Sequence, residues 1–178
     1  MTDASTSEAV LVERAKKGDQ EALTEIVKTY SDRLYTLLMR LLRNSQEAED
    51  VLQETFITMI EKISTYKGKS QLYTWLYRIA TNYALMRLRK GQKSKRLSID
   101  ERVVSDEVHR GESVAFPSQP DKELHSKETK KALNDAINNL SAPYRAVFVL
   151  RDIEQLSVRE TARTLKISED NVKTRLRR

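Results

Sequence analysis

The sequence has no cysteine among its 178 residues, which excludes a disulfide framework and any thiolate metal site. With only 4 glycines and 3 prolines it lacks the closely spaced turn residues that an all-β fold requires. Histidine is scarce too: His109 and His125 stand far from any second ligand pattern and read as solvated residues, so no metal site is expected. No apolar run approaches the ~18 residues of a membrane span. The opening "MTDASTSEAV" has neither the basic nor the apolar segment of a signal peptide, so a cytoplasmic chain without membrane insertion is expected. Catalytic patterns are also missing. There is no glycine-rich phosphate loop, and no nucleophile sits beside a base. The one dense carboxylate group, Glu47, Glu49, Asp50 and Glu54, has no His or Lys partner at a useful spacing. The expectation is therefore no catalytic residue, no cofactor and no enzyme.

What is present is charge and helical periodicity. Lys and Arg number 32 against 26 Asp and Glu, for a net charge of +6 and a pI near 9.5, which favours an anionic partner, most often nucleic acid. Hydrophobic residues make up 39% of the chain, enough for a modest core.

Residues 8–17 suit a short amphipathic helix ended by Gly18. Asp19 can cap a longer one through about Arg43, with Ala22, Leu23, Ile26, Val27, Tyr30, Leu34, Leu37, Leu38 and Leu41 inward. Ser45 can cap a third, whose inward stripe is Ala48, Val51, Leu52, Thr55, Phe56, Met59, Ile60 and Ile63; Glu49, Asp50, Gln53, Glu54 and Ile57 lie opposite. After the turn "TYKGKS", Ser70 can cap a helix through Lys90 with Leu72, Trp75, Leu76, Ile79, Ala80 and Tyr83 inward or nearly so and a stop at Gly91. Its last turns become basic at Arg87, Arg89 and Lys90.

Periodicity then fails. Residues 97–121 hold two of the three prolines and more acids than bases, and read as an acidic, flexible linker between helical domains at 1–96 and 122–178. The fold expected is all-α. In the second domain a helix is expected to run to Leu140, and another over "SAPYRAVFVLRD" with Ser141 as its cap. "LSVRETARTLKISEDNVKTRLRR" follows. Ser157 and Glu160 form an S-x-x-E capping box, and the helix behind them turns Val158, Ala162 and Leu165 inward. Lys166–Ile167 turn the chain, and Ser168 caps a last helix with Val172 and Leu176 inward. The other face of that helix carries Lys173, Thr174, Arg177 and Arg178, with Arg175 beside them. Such a helix-turn-helix presents the side chains that bind phosphates and guanine edges in a major groove.

"EAEDVLQETFITMIEKI", "YTWLYRIATNYALMRLRK" and "LSAPYRAVFVLRDIEQLSVRETARTLKISEDNVKTRLRR", in this order, resemble the bacterial RNA polymerase sigma factors of the sigma-70 family, in particular the small extracytoplasmic-function group. The first two stretches are similar to conserved region 2, the last to region 4. The resemblance implies a transcription initiation factor that binds core RNA polymerase and directs it to promoters. It implies that Asp50, Gln53 and Glu54 grip the β′ clamp helices and that region 4 meets the β flap. It implies that the helix after Ser70 holds and melts the minus-10 element, with Trp75 as the melting aromatic. Tyr73 and Tyr77 are alternative stacking residues, Asn82 can bond a base edge, and Arg78, Arg87, Arg89 and Lys90 suit phosphates. Ser168, Lys173, Thr174, Arg175, Arg177 and Arg178 would read the minus-35 element. Factors of this group are often held by an anti-sigma protein. Their recognition helix normally continues beyond the position of Arg178, so either the sequence is truncated there or its region 4 is unusually short. The rival reading, a stand-alone helix-turn-helix regulator, accounts for residues 122–178 but leaves "EDVLQE" and "YTWLYRIATN" without a role.

Overall fold

The computed structural model describes residues 3–99, 135–137 and 139–177, and among these every regular element is helical. Four long helices form the first unit: α1 (Asp3–Lys16), α2 (Gln20–Leu42), α3 (Ser45–Lys62) and α4 (Leu72–Ile99), with a 3-10 turn at Ile63–Thr65. Three short ones follow: α5 (Ala142–Phe148), α6 (Val158–Leu165) and α7 (Glu169–Arg177), with a π turn at Val149–Ile153 between α5 and α6. Of the expected helix leading to Leu140 only the end is described, with residues 135–137 helical, and most of the expected linker lies outside the described residues.

Local chemistry explains the helix ends. Gly18 takes φ +85°, a conformation that costs glycine little. Asp19 then caps α2 by accepting from the N–H groups of Glu21 and Ala22. Asn44, not Ser45, caps α3, accepting from the Glu47 N–H at 2.9 Å; Ser45 is already helical. Both types suit the position, and the left-handed turn at Arg43 decides between them. At α4 the expected Ser70 cap gives way to a start at Leu72, and the Ser70 carbonyl instead accepts from the Tyr66 hydroxyl. The helix also runs through Gly91 to Ile99, because glycine weakens a helix by only ~1 kcal/mol and does not by itself end one.

The capping box is formed as expected: Ser157 Oγ accepts from the Glu160 N–H, and the Glu160 carboxylate accepts from the Ser157 N–H. Lys166 ends α6 in the left-handed region at φ 56°. A non-glycine residue is strained there, so Lys166→Gly should stabilise the chain by roughly 1 kcal/mol, read as a higher urea midpoint. An unchanged midpoint would show that the turn carries no strain.

The buried apolar side chains of the two units join into one core, from Val12 and Leu34 through Leu76 to Val147, Leu150 and Leu165. α6 packs on α4, and α5 with its π turn reaches α2. This accounts for burial beyond the expected stripes. α2 also buries Met39 and Leu42, and α4 also buries Thr74, Tyr77 and Thr81. Conversely, Ile60, expected inward, is 48% exposed at the edge of the α3 stripe.

Candidate functional site

Three surfaces carry the residues singled out in the sequence. On α3, Gln53 is exposed while Asp50 and Glu54 are half-buried, one turn apart. Arg87 of α4 bridges them: its Nη2 donates to Glu54 Oε1 at 2.6 Å and its Nη1 lies 3.6 Å from Asp50 Oδ2. The hydrogen bond to Glu54 raises the Arg87 pKa above its ordinary value. Thr58 and Tyr83 share a 2.8 Å hydrogen bond that fixes α3 against α4 nearby. The acidic face thus already holds a guanidinium, and it is flanked by the exposed apolar side chain of Ile57.

On α4 the expected DNA-facing residues separate. Arg78, Arg89 and Lys90 are exposed, whereas Asn82 and Arg87 are half-buried. Trp75 is half-buried and tilted 46° against Tyr66, with ring centroids 5.3 Å apart. Lys16 Nζ lies 5.9 Å from the Tyr66 centroid, so an aromatic pair with a cation beside it stands at the start of α4. Tyr73 is half-buried and meets Tyr77 edge-on at 5.7 Å, and the Arg33 guanidinium lies 5.3 Å and 5.9 Å from the two rings. Tyr77 itself is fully buried, because the second unit covers its side of α4. Tyr66, Lys16 and Arg33 were not singled out from sequence; the aromatic in "TYKGKS" was the available signal for the first.

On α7, Ser168 accepts from the Asn171 N–H at 3.2 Å and Val172 anchors the helix in the core. Lys173, Thr174 and Arg177 are exposed in one row. Lys173 reaches Asp170 at 3.4 Å, an exposed contact of little energetic weight. Arg175 is turned back, donating to the Pro143 carbonyl at 3.4 Å, and Arg178 lies outside the described residues. Leu176, expected inward, lines an apolar groove of about 640 Å³ with Ile137, Leu140, Tyr144 and Phe148. It faces this groove because Val172, one turn earlier, is the residue that meets the core.

Buried hydroxyls leave a titration signature. Burial, and then hydrogen bonds to Glu8 and Glu154, push the Tyr30 and Tyr77 pKa values up. A raised pKa favours the neutral phenol in the fold. That stability is complete below the ordinary tyrosine value of about 10 and is lost as pH climbs through the folded value. Arg145, pushed down to about 10 by burial and then by Arg43, has the opposite sign: above that pH its contribution to stability rises. In an alkaline titration followed by tyrosinate absorbance, some of the 7 tyrosines should ionise only with unfolding. A single step for all of them near pH 10 would contradict this.

Among the described residues no group of His, Asp and Glu could hold a metal ion, and no helix is long and apolar enough to cross a membrane. Comparison with known proteins covers nearly the whole chain. Residues 26–94 match the family described as Sigma-70 region 2, and residues 130–178 match Sigma-70, region 4. The ECF RNA polymerase sigma factor SigW of Bacillus subtilis is 36% identical over 94% of this chain and 89% of its own. The ECF RNA polymerase sigma-E factor of Escherichia coli strain K12 is 31% identical over 96% of this chain and 88% of its own. In fold, the chain is similar to the sigma factor RpoE from Bartonella quintana, solved in complex with the anti-sigma factor NepR. That likeness has a TM-score of 0.63 at 21% identity and covers 86% of this chain and 88% of that one.

Proposed function

This chain belongs to the extracytoplasmic-function group of the sigma-70 family, and we propose that it binds core RNA polymerase through α3, reads the minus-35 element with α7 and opens the minus-10 element with α4. The observation that carries the polymerase contact is the guanidinium of Arg87 held between Asp50 and Glu54. A surface that binds one arginine in place can bind another supplied by the clamp helices of β′, and Gln53 adds an amide beside it. The exposed row Lys173, Thr174 and Arg177 supplies donors for duplex DNA. The Trp75–Tyr66 pair, with Lys16 beside it, suits an unstacked base near the minus-10 element. The groove under Leu176 suits an apolar segment of the β flap. RNA synthesis itself belongs to the polymerase; this chain supplies recognition and strand opening, works in the cytoplasm and is held in reserve by an anti-sigma protein.

The test is reconstitution. The purified chain should bind core polymerase and make it initiate at a defined start on a promoter template, while showing little specific affinity for duplex DNA alone. Specific duplex binding without polymerase, together with no binding to core, would replace this reading with the stand-alone regulator.

A further inference from the structure

Among the described side chains of α4, Met86 is the one large apolar residue left in solvent, at 62% exposed. Its place on the helix is specific. With about 3.6 residues per turn, Trp75, Arg78, Asn82, Met86 and Arg89 fall within an arc of about 80°, so they share one face. The other side packs inward, with Leu76, Ala80 and Ala84 fully buried. Met86 therefore stands in the row that carries the exposed cations of α4, with Asn82 one turn before it and Arg89 about one turn after it. A lone exposed methionine elsewhere would carry no meaning, because apolar side chains are scattered over most protein surfaces. This one interrupts a row of groups suited to nucleic acid.

The neighbours of Met86 limit what it can meet. Arg78, Arg89 and Lys90 are exposed, and none of them pairs with a carboxylate among the described residues. Cations placed this way bind phosphates, which positions a strand but carries no sequence information. Asn82, half-buried in the same row, offers an amide that can bond a base edge. A thioether can do neither. It adds nothing to phosphate binding, and it gains by leaving water for an apolar contact. The apolar group on the edge of a base is the C5 methyl of thymine. Methionine suits it, because its unbranched, polarisable chain adapts to the shape it meets. With cations before and after it along the helix, Met86 is held where a strand anchored by its phosphates presents its base edges.

We propose that Met86 is a specificity-determining residue that reads a thymine in the minus-10 region through its C5 methyl. The inference rests on the role proposed above for α4. Four residues of helix rise about 6 Å, close to two stacked base steps of about 3.4 Å, so this thymine lies about two bases from the one that Asn82 bonds. The test uses the full chain assembled with core polymerase, transcribing a template library randomised across the minus-10 region. The parent should favour thymine at one position, and Met86→Ala should weaken that preference about fourfold, the worth of one buried methyl group. Preferences at the other positions should persist. Deoxyuridine then replaces the favoured thymine, on each strand in turn, which removes the methyl and nothing else. Initiation by the parent should fall about fourfold on one of the two strands, while the Met86→Ala holoenzyme should not distinguish the two bases. Met86→Leu, which keeps an apolar side chain, should still distinguish them. A base preference unchanged in Met86→Ala would overturn the proposal, and so would loss of a preference for any base other than thymine. Equal response of parent and Met86→Ala to deoxyuridine would overturn it as well. If the parent holoenzyme transcribes no member of the library, the proposed function fails and this inference with it; transcription with the same preferences in both chains sinks the role of Met86 alone.

Discussion

Asp50→Ala, Gln53→Ala and Glu54→Ala combined will weaken binding to core RNA polymerase by about a hundredfold or more, with almost no loss of thermal stability. The two halves of this expectation come from one geometry. The carboxylates stand at the surface, 44% and 39% exposed, and their internal partner is an Arg87 that is itself partly solvated. Exposed ion pairs contribute at most about 1 kcal/mol to folding, so little is lost there. At the proposed interface with the β′ clamp helices the same groups would face arginines, whose charge would be left unpaired when they are removed. A loss of about 3 kcal/mol in binding corresponds to that hundredfold. Arg87→Ala is the informative control. It removes the internal competitor and should leave core binding equal or slightly tighter, while weakening contact with DNA. Equilibrium titration of labelled core measures both; triple-variant affinity within about threefold of the parent would sink the assignment of this face.

Lys173→Ala with Arg177→Ala will lower initiation at promoters that depend on the minus-35 element by about tenfold to a hundredfold, and will leave core binding untouched. Both side chains are exposed, and neither contributes to the anchoring of α7, which rests on Val172. Each phosphate contact removed should reduce the slope of log affinity against log salt by about 1, so the pair should reduce it by about 2. An unchanged salt slope in the holoenzyme would mean that α7 does not touch the DNA backbone.

Most helices and several of their caps were legible in the sequence where the cause was local. The Ser45 and Ser70 caps and the Gly91 stop were local readings that failed, because neighbouring residues suited the same positions and one glycine does not end a helix. The box at Ser157 and Glu160, the Asp19 cap and the α3 stripe through Val51, Thr55 and Met59 depend on spacing alone and stand where spacing puts them. The reading of buried faces failed where a second surface intervened. Periodicity assigns one buried face to each helix, yet α2 and α4 are each covered twice, which buries Met39, Leu42 and Tyr77. The acidic face on α3 could be located from residue order. That Arg87 would close on it could not, because 33 residues separate Arg87 from Glu54. Glu154 is the extreme case. In the sequence it is one acid among many near a turn, and its partners lie 114 and 77 residues away.

The uninterrupted 28 residues of α4 have a consequence for promoter geometry. At 1.5 Å per residue the helix is about 42 Å long, and its final turns deliver the chain well away from the Trp75 end. Trp75 and Ile99 lie about 36 Å apart along its axis, close to one turn of duplex DNA at about 3.4 Å per base pair. If the helix lies along a promoter as proposed, its two ends would meet the duplex one helical turn apart, on the same side of the double helix.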